Sequence, residues 1–560
     1  MEKELSAAFD AVFGKFVLEH SGDDVSRLLL NRDKWPGVDV DSAVTAIECR
    51  KKIRTKLPEW YAVPDIVYPD RICAEQSSSS ETAAYKAGVA ERIMRESASG
   101  EMRVADLTGG LGVDSLAFSR VASRVLYNEM DSARASAAMH NFRLLGAEGC
   151  IEVSSCCVTP DAQGFWDRLK SFAPSLIYAD PARRSASGSK VFLLEDCSPD
   201  ILTLLPRIFS IAPNLLLKVS PMADLSMLAA RIGERGASVA EAHVVAAAGE
   251  CKELLLLVRP SPCGSSRLFV NEGGHLLFVN AGSGCSGADS GYVPVFMESP
   301  EQLMSAAYLF EPGKALSKAG LFNAVCHLFT PSPHPAATAA APAAADLPAD
   351  AAAFTSRFGQ IMCPGLSGHT VKAGRSTGVV LPERLSGSAS FCAGDARSAQ
   401  QESVACPLQS GRPVLPPSSE HSASIMCSEP SELSLPSALS PHSEQSGQQW
   451  RARCIVKAGR STHLYFTDSE PSDDSTRPRL ADFGKMFRIL EILPLDKRSI
   501  KAFSSKYPRA EVSARNIPMS SDELRRKLKA ASGGSIHIFG FRADFSTAPS
   551  ASYLLAAIRL

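Results

Sequence analysis

Between residues 102 and 258 short apolar runs alternate with helix-patterned stretches. The runs are MRVADL, RVLYNEM, GCIEVSS, SLIYADP, NLLLKVSP, SVAEAHVVA and KELLLLVRP. This alternation is the strongest constraint on the fold. Parallel neighbours cannot be joined by a tight turn; each needs a crossover, and the intervening helices supply it. The predicted architecture is therefore α/β, a doubly wound, Rossmann-like sheet. Only AAGEC separates the last two runs, which predicts an antiparallel closing pair at one sheet edge. Ligands of such sheets sit outside the C-terminal ends of the strands, so the residues that end each run are the candidate site.

The first run continues as VADLTGGLGVDSLAF, residues 104–118. Gly109, Gly110 and Gly112, with Thr108, form a strand-to-helix turn where backbone can approach a ligand. A phosphate loop needs Lys and Ser or Thr after its glycines; here Val113 and Asp114 follow. A dinucleotide loop has its glycines directly after the strand, so that pyrophosphate meets the helix N-terminus. Here Asp106 stands first, and a carboxylate repels pyrophosphate but suits an ammonium or sulfonium. The second run ends in Glu129, where an acid accepts hydrogen bonds from ribose hydroxyls. Taken singly, Asp106 reads equally as a helix cap and Glu129 as an ordinary strand-end acid. Taken together they describe a ligand with a ribose, a positive charge and no pyrophosphate, which S-adenosylmethionine satisfies.

Other run ends add to this crevice. The fourth gives Asp180-Pro181, an acid and a residue with no amide donor; Asp180 could orient an amine or take a proton from a nucleophile. Arg183 and Arg184 follow, as a phosphate clamp or as surface arginines. The fifth ends in Lys218, Ser220 and Pro221 on the same side. Gln76, Ser78 and Thr82 precede the core and either close over the cofactor or cap a helix; Ser78 with Glu81 has capping-box spacing. After the third run Asp161 is the acid nearest the adenine position. Glu253 reads as a strand-edge charge.

Outside the core, residues 1 to about 65 carry amphipathic helices broken by Pro36 and Pro58. From about 331 to 450 Ala, Pro and Ser dominate, too little apolar surface to offset the entropy of ordering. The heptapeptide VKAGRST occurs at 371–377 and again at 456–462, read as a local duplication. Residues 451–560 hold 20 Lys and Arg against 11 Asp and Glu, a basic segment in a chain whose net charge is −1. That overall charge argues against a protein coating nucleic acid or membrane with its whole surface. The fifteen cysteines include no CxxC pair and no zinc-type spacing, which reads as free thiols in a reducing cytosol with no metal. With no apolar stretch of membrane-spanning length and no signal-peptide core, the expected location is cytoplasmic.

DLTGGLGVD, YNEMD and ADPARR together resemble class I S-adenosylmethionine-dependent methyltransferases. More narrowly, EQSSSSETAAYKA, LEDCSPDILTLLP, LLLKVSPMADLS, ECKELLLLV, YLFEPGKALSKAGLF and RNIPMSSDELRRKLK resemble, in order, a bacterial family of these enzymes with a small ferredoxin-like domain and a C-terminal THUMP-like domain. The resemblance implies an N-terminal helical domain (1–92), a Rossmann-like methyltransferase core (93–262), a ferredoxin-like domain (263–330), a disordered insertion (331–452) and a THUMP-like domain (453–560), the C-terminal parts being α+β. It implies S-adenosylmethionine held by Asp106, the glycines and Glu129, catalysis at Asp180-Pro181, and an RNA substrate (tRNA or rRNA), with no DNA and no membrane. Ala182 and Arg183 depart from the amino-methyltransferase pattern of a second proline and an aromatic, removing the ring that would stack on a flipped base. A small-molecule or protein methyltransferase, and a non-catalytic RNA-binding protein that keeps the cofactor fold, are the other readings.

Overall fold

The computed structural model describes residues 11–96, 101–183, 194–260, 266–281, 289, 291–329, 455–468 and 479–560. Its larger sheet is built from β1 (Arg103–Asp106), β2 (Arg124–Asn128), β3 (Ile151–Ser154) and β4 (Leu176–Ala179), then β7 (Leu215–Val219), β8 (Ser238–Ala247), β9 (Glu250–Arg259), β10 (Arg267–Glu272) and β11 (His275–Asn280). Between β4 and β7 lies a two-stranded ribbon, β5 (Ala182–Arg183) with β6 (Cys197–Ser198). The strand order is β11-β10-β8-β9-β7-β4-β1-β2-β3. Strands β3 to β7 run parallel, as the crossover pattern predicts. Every residue of β4 is buried, because helices cover both faces and leave no solvated side for polar residues.

The β8–β9 hairpin is antiparallel, but it does not close the sheet. Strand β9 inserts beside β7, and β10 and β11 extend the sheet past β8. The boundary expected at 262/263 therefore falls inside one sheet: HLLFVN, assigned to a ferredoxin-like domain, is an edge strand of the core. Alternation of apolar residues marks a strand but does not say which sheet it joins.

The boundary expected at 92/93 likewise cuts the helix Ser80–Glu96. This helix lies on the larger sheet, and its core cluster runs without a break from the N-terminal helices (Phe16, Ile47, Trp60) through Tyr85 to Tyr127 and Leu255. Ser79, not Ser78, caps it: Ser79 Oγ accepts the Thr82 amide at 3.2 Å. Ion pairs pin its far end. Arg92 forks onto Glu241 of β8, which also accepts from Arg267 of β10 and from His243. Tyr85 bonds His243 at 2.9 Å.

The smaller sheet consists of β12 (Tyr308–Pro312), β13 (Val456–Lys457), β14 (Tyr465–Thr467), β15 (Gly484–Pro494), β16 (Glu511–Arg515), β17 (Ile536–Ala543) and β18 (Ala551–Arg559), in the order β13-β14-β12-β15-β18-β17-β16. It curls until its β13 side meets the end of β17: the Asp544 amide donates to Ala458 O at 2.8 Å and Thr462 Oγ1 to Arg542 O at 2.7 Å. Phe466 and Phe541 face each other inside, 5.5 Å apart. The second VKAGRST copy makes this closure. A side chain at Gly459 would lie 2.6 Å from Asp544 Oδ2, and the Arg460 amide donates to that same oxygen at 2.9 Å. The first copy, and the expected insertion at 331–452, lie outside the described residues. Strand β12 pairs with β14 and β15, so residues 263–330 are divided between the two sheets. Glu272 of β10 joins them by accepting the amides of Lys314 and Ala315, just after β12, at 3.2 and 2.7 Å. Among the described residues no helix is long and apolar enough to cross a membrane.

Candidate active site

The registers align the C-terminal ends of β1, β2 and β4: Asp106 sits beside Tyr127 on one side and Tyr178 on the other. The loops leaving these strands form one cleft. Its walls include Gln76, Ser78, Thr108, Gly109, Gly110, Gly112, Asp114, Glu129 and Asp180.

The glycines earn their places differently from the sequence expectation. A Cβ at Gly109 would fall 2.0 Å from the Tyr127 ring, and one at Gly112 would fall 2.6 Å from Phe142. Both are demanded by the protein's own packing rather than by a ligand. Gly110 has φ +55° and open space where a Cβ would stand, so it is the glycine that offers bare backbone to the cleft. Its amide donates to Glu129 Oε2 at 3.0 Å, while Glu129 Oε1 accepts the Asp131 amide at 3.0 Å. Glu129 is thereby fixed at the cleft wall.

Asp106 does not reach that wall. It is 1% exposed, and its two oxygens accept the Thr108 amide at 3.0 Å and the Ser115 hydroxyl at 2.6 Å. Burial outweighs these bonds and pushes its carboxyl up to about 7. It braces the loop from behind and does not cap the helix that follows, whose N-cap is Gly112 with no side-chain bond. Thr82 is also spent on its helix turn, with Ser79.

Asp114, which the sequence reading used only to dismiss a phosphate loop, lines the cleft. Its Oδ2 accepts from Ser78 and from Tyr178, each at 2.9 Å, and its Oδ1 pairs with Lys86 at 3.1 Å. Burial would raise this carboxyl; the Lys86 and Lys218 ammoniums, with the two hydroxyls, hold it below the ordinary value. Lys86, wholly buried, also bonds Ser78 at 2.7 Å and both oxygens of Glu253 at 3.0 and 2.9 Å. Glu253 is 2% exposed on the interior strand β9, not a strand-edge charge. Its Oε2 lies 3.7 Å from Lys218, which bonds Asp180 Oδ2 at 2.6 Å. A single chain of alternating charge thus runs Asp114–Lys86–Glu253–Lys218–Asp180 beneath the cleft.

Asp180 is held by the backbone as well, its amide donating to Thr108 Oγ1 at 2.6 Å. Pro181 is half-buried behind it and is not part of the cleft wall. The backbone of Arg183 lies in β5, against β6, and Arg184 lies outside the described residues. Asp161 is exposed and away from the cleft; Cys156, Cys157 and Val158 line it there. From the ribbon, Ala182, Ser198 and Pro199 complete the wall. Sequence reasoning missed Asp114, Lys86 and Arg134, whose guanidinium is paired with Asp70 at 2.9 Å.

The larger sheet has a Rossmann-like fold, the fold of a methyltransferase of known structure. The solved structure of a candidate methyltransferase from Porphyromonas gingivalis W83 superposes with a TM-score of 0.62 at 23% identity, covering 100% of this chain and 98% of that one. Two others cover less of this chain. A candidate tRNA methyltransferase from Streptococcus pneumoniae has a TM-score of 0.22 and 12% identity over 30% of this chain and 68% of its own. Magnesium protoporphyrin IX methyltransferase from Synechocystis PCC 6803, solved with bound S-adenosylmethionine, has a TM-score of 0.23 and 12% identity over 32% and 79%. Residues 484–555 match the THUMP domain-like family model, a stretch that runs from the start of β15 into β18. No curated protein matches the sequence.

Proposed function

We propose that this chain transfers a methyl group from S-adenosylmethionine to RNA. One observation carries the cofactor: the carboxylates of Asp114, Glu129 and Asp180 ring the glycine loop, and Arg134, the one arginine among the described lining residues, is paired with Asp70. Such a lining repels a pyrophosphate and attracts a cation. With Glu129, the chain of three carboxylates and two ammoniums makes the site negative overall, which favours a cationic ligand. Glu129 keeps lone pairs for two ribose hydroxyls, and Gly110 leaves room beside them. S-adenosylmethionine supplies an electrophilic methyl on a sulfonium. The protein's share is to hold the acceptor at Asp180, close and in line, which alone is worth several kcal/mol of barrier.

RNA delivery rests on the smaller sheet. Helices Lys497–Lys506 and Ser521–Leu528 pack together and present exposed Lys497, Arg498, Lys501, Arg526 and Lys527, a polyanion surface. Calorimetry tests the cofactor first. S-adenosylmethionine and S-adenosylhomocysteine bind, NAD does not, and Glu129→Ala weakens binding about tenfold or more, the order of one lost charge-assisted pair of hydrogen bonds. Tight NAD binding, or none for either sulfur ligand, ends the reading.

A further inference from the structure

We propose that the methyl acceptor is a hydroxyl, the 2′-hydroxyl of an RNA ribose, and that Asp180 and Lys218 handle its proton and its developing charge. This rests on the methyl-transfer reading above. The observation is the placement of an ammonium at the reacting edge. Strands β4 and β7 are parallel neighbours, with Ala179 opposite Leu217, so Asp180 and Lys218 leave the sheet side by side. Their side chains meet at 2.6 Å, with Asp180 37% and Lys218 15% exposed.

The two acceptor classes develop opposite charge. An amine attacking a sulfonium methyl gains positive charge, and an ammonium alongside penalises it. A hydroxyl gains negative charge as its proton leaves, and the same ammonium stabilises it. Lys218 also occupies one of the two Asp180 oxygens, halving what Asp180 can offer an amino group. The aromatic that would stack on an extruded base is replaced by Arg183. Glu253 and Lys86 act through Lys218. The Glu253 carboxylate at 3.7 Å, with Asp180 and Asp114, overcomes burial and keeps Lys218 protonated far above neutrality; Lys86 anchors Glu253 from behind. Lys218 is thus a fixed cation and Asp180 the base.

The step balances. The hydroxyl proton passes to the Asp180 carboxylate, the oxygen lone pair forms the new O–C bond, and the C–S bond breaks with its electrons returning to sulfur. The products are a methyl ether, a neutral thioether and a protonated Asp180, which then loses its proton to water.

The test uses the full chain, RNA from cells lacking the gene, and S-adenosylmethionine labelled in its methyl. A 2′-O-methyl group blocks alkaline cleavage of the next phosphodiester, so label is expected in alkali-stable dinucleotides. Label in ordinary mononucleotides means base methylation and overturns the proposal while leaving methyl transfer intact; failure of S-adenosylhomocysteine to bind in calorimetry overturns both. Asp180→Asn and Lys218→Met are expected to cut transfer about 100-fold or more. Glu253→Gln is the test of positioning. It is expected to lower kcat about tenfold with KM for RNA unchanged, and Glu253→Asp to restore most of that loss, whereas a merely structural role changes KM and S-adenosylhomocysteine affinity as well.

Discussion

At the scale of single residues, the loop that begins the site is governed by what lies behind it. Asp106 is buried, and burial, ahead of the Ser115 and Thr108 bonds that pull the other way, raises it to about 7. In the unfolded chain it ionises near its ordinary value. Between roughly pH 4 and 7 the folded state therefore holds a proton the unfolded state has released, and stability falls as pH rises. Asp106→Asn keeps an acceptor for the Thr108 amide and a partner for Ser115 but does not titrate. Thermal melts are expected to show the variant gaining on wild type by roughly 2–3 kcal/mol between pH 5 and pH 8; a constant gap contradicts the assignment. Part of this site was legible in the sequence. Glu129 and Asp180 end apolar runs, and a run's end is a place in the fold. Lys86, Asp114 and Glu253 were not, because each sits in an ordinary helix or strand pattern and its charged partners lie 28 to 167 residues away. Asp106 shows the opposite error: its position was legible, its direction was not.

At the scale of elements, the helix Ser80–Glu96 is tied to the larger sheet by charges that are out of reach of water. Glu241 is fully buried and serves Arg92, Arg267 and His243. Glu241→Gln leaves Arg92 and Arg267 with Glu96 as their remaining carboxylate and is expected to cost about 3 kcal/mol in urea unfolding; Arg92→Met combined with Glu241→Leu is expected to recover part of that loss. Additive losses contradict the coupling. On the smaller sheet, Lys501→Glu with Arg526→Glu is expected to weaken tRNA binding at least tenfold at 50 mM salt and to flatten its salt dependence by about two units of slope, leaving S-adenosylhomocysteine binding unchanged. Filter binding across a salt series measures both. The alternation of runs predicted the parallel strands correctly because burial on both faces and crossover helices follow from it. It could not assign β10, β11 and β12, since the apolar pattern of an edge strand is the same whichever sheet receives it.

At the scale of the molecule, the long Ala/Pro/Ser-rich stretch enters and leaves one folded body. Leu328 on its near side and Ile455 on its far side belong to the same core cluster, and β12 pairs with β14 across it. Replacing residues 331–452 by a short Gly/Ser linker is expected to leave the melting temperature within a few degrees and S-adenosylhomocysteine binding intact; calorimetry of the shortened chain checks both. The curled sheet has a further consequence, in the order of synthesis. The larger sheet is complete once Asn280 has been made. The smaller one cannot be: β12 waits for β14 and β15, and β18, residues 551–559, lies between β15 and β17. At ~5–20 residues per second, β12 waits roughly ten to forty seconds for both partners, with Leu309 and Phe310 unpaired. The larger sheet can therefore pair all its strands well before the smaller one is made, and for that interval β12 is an open edge for chaperones to guard.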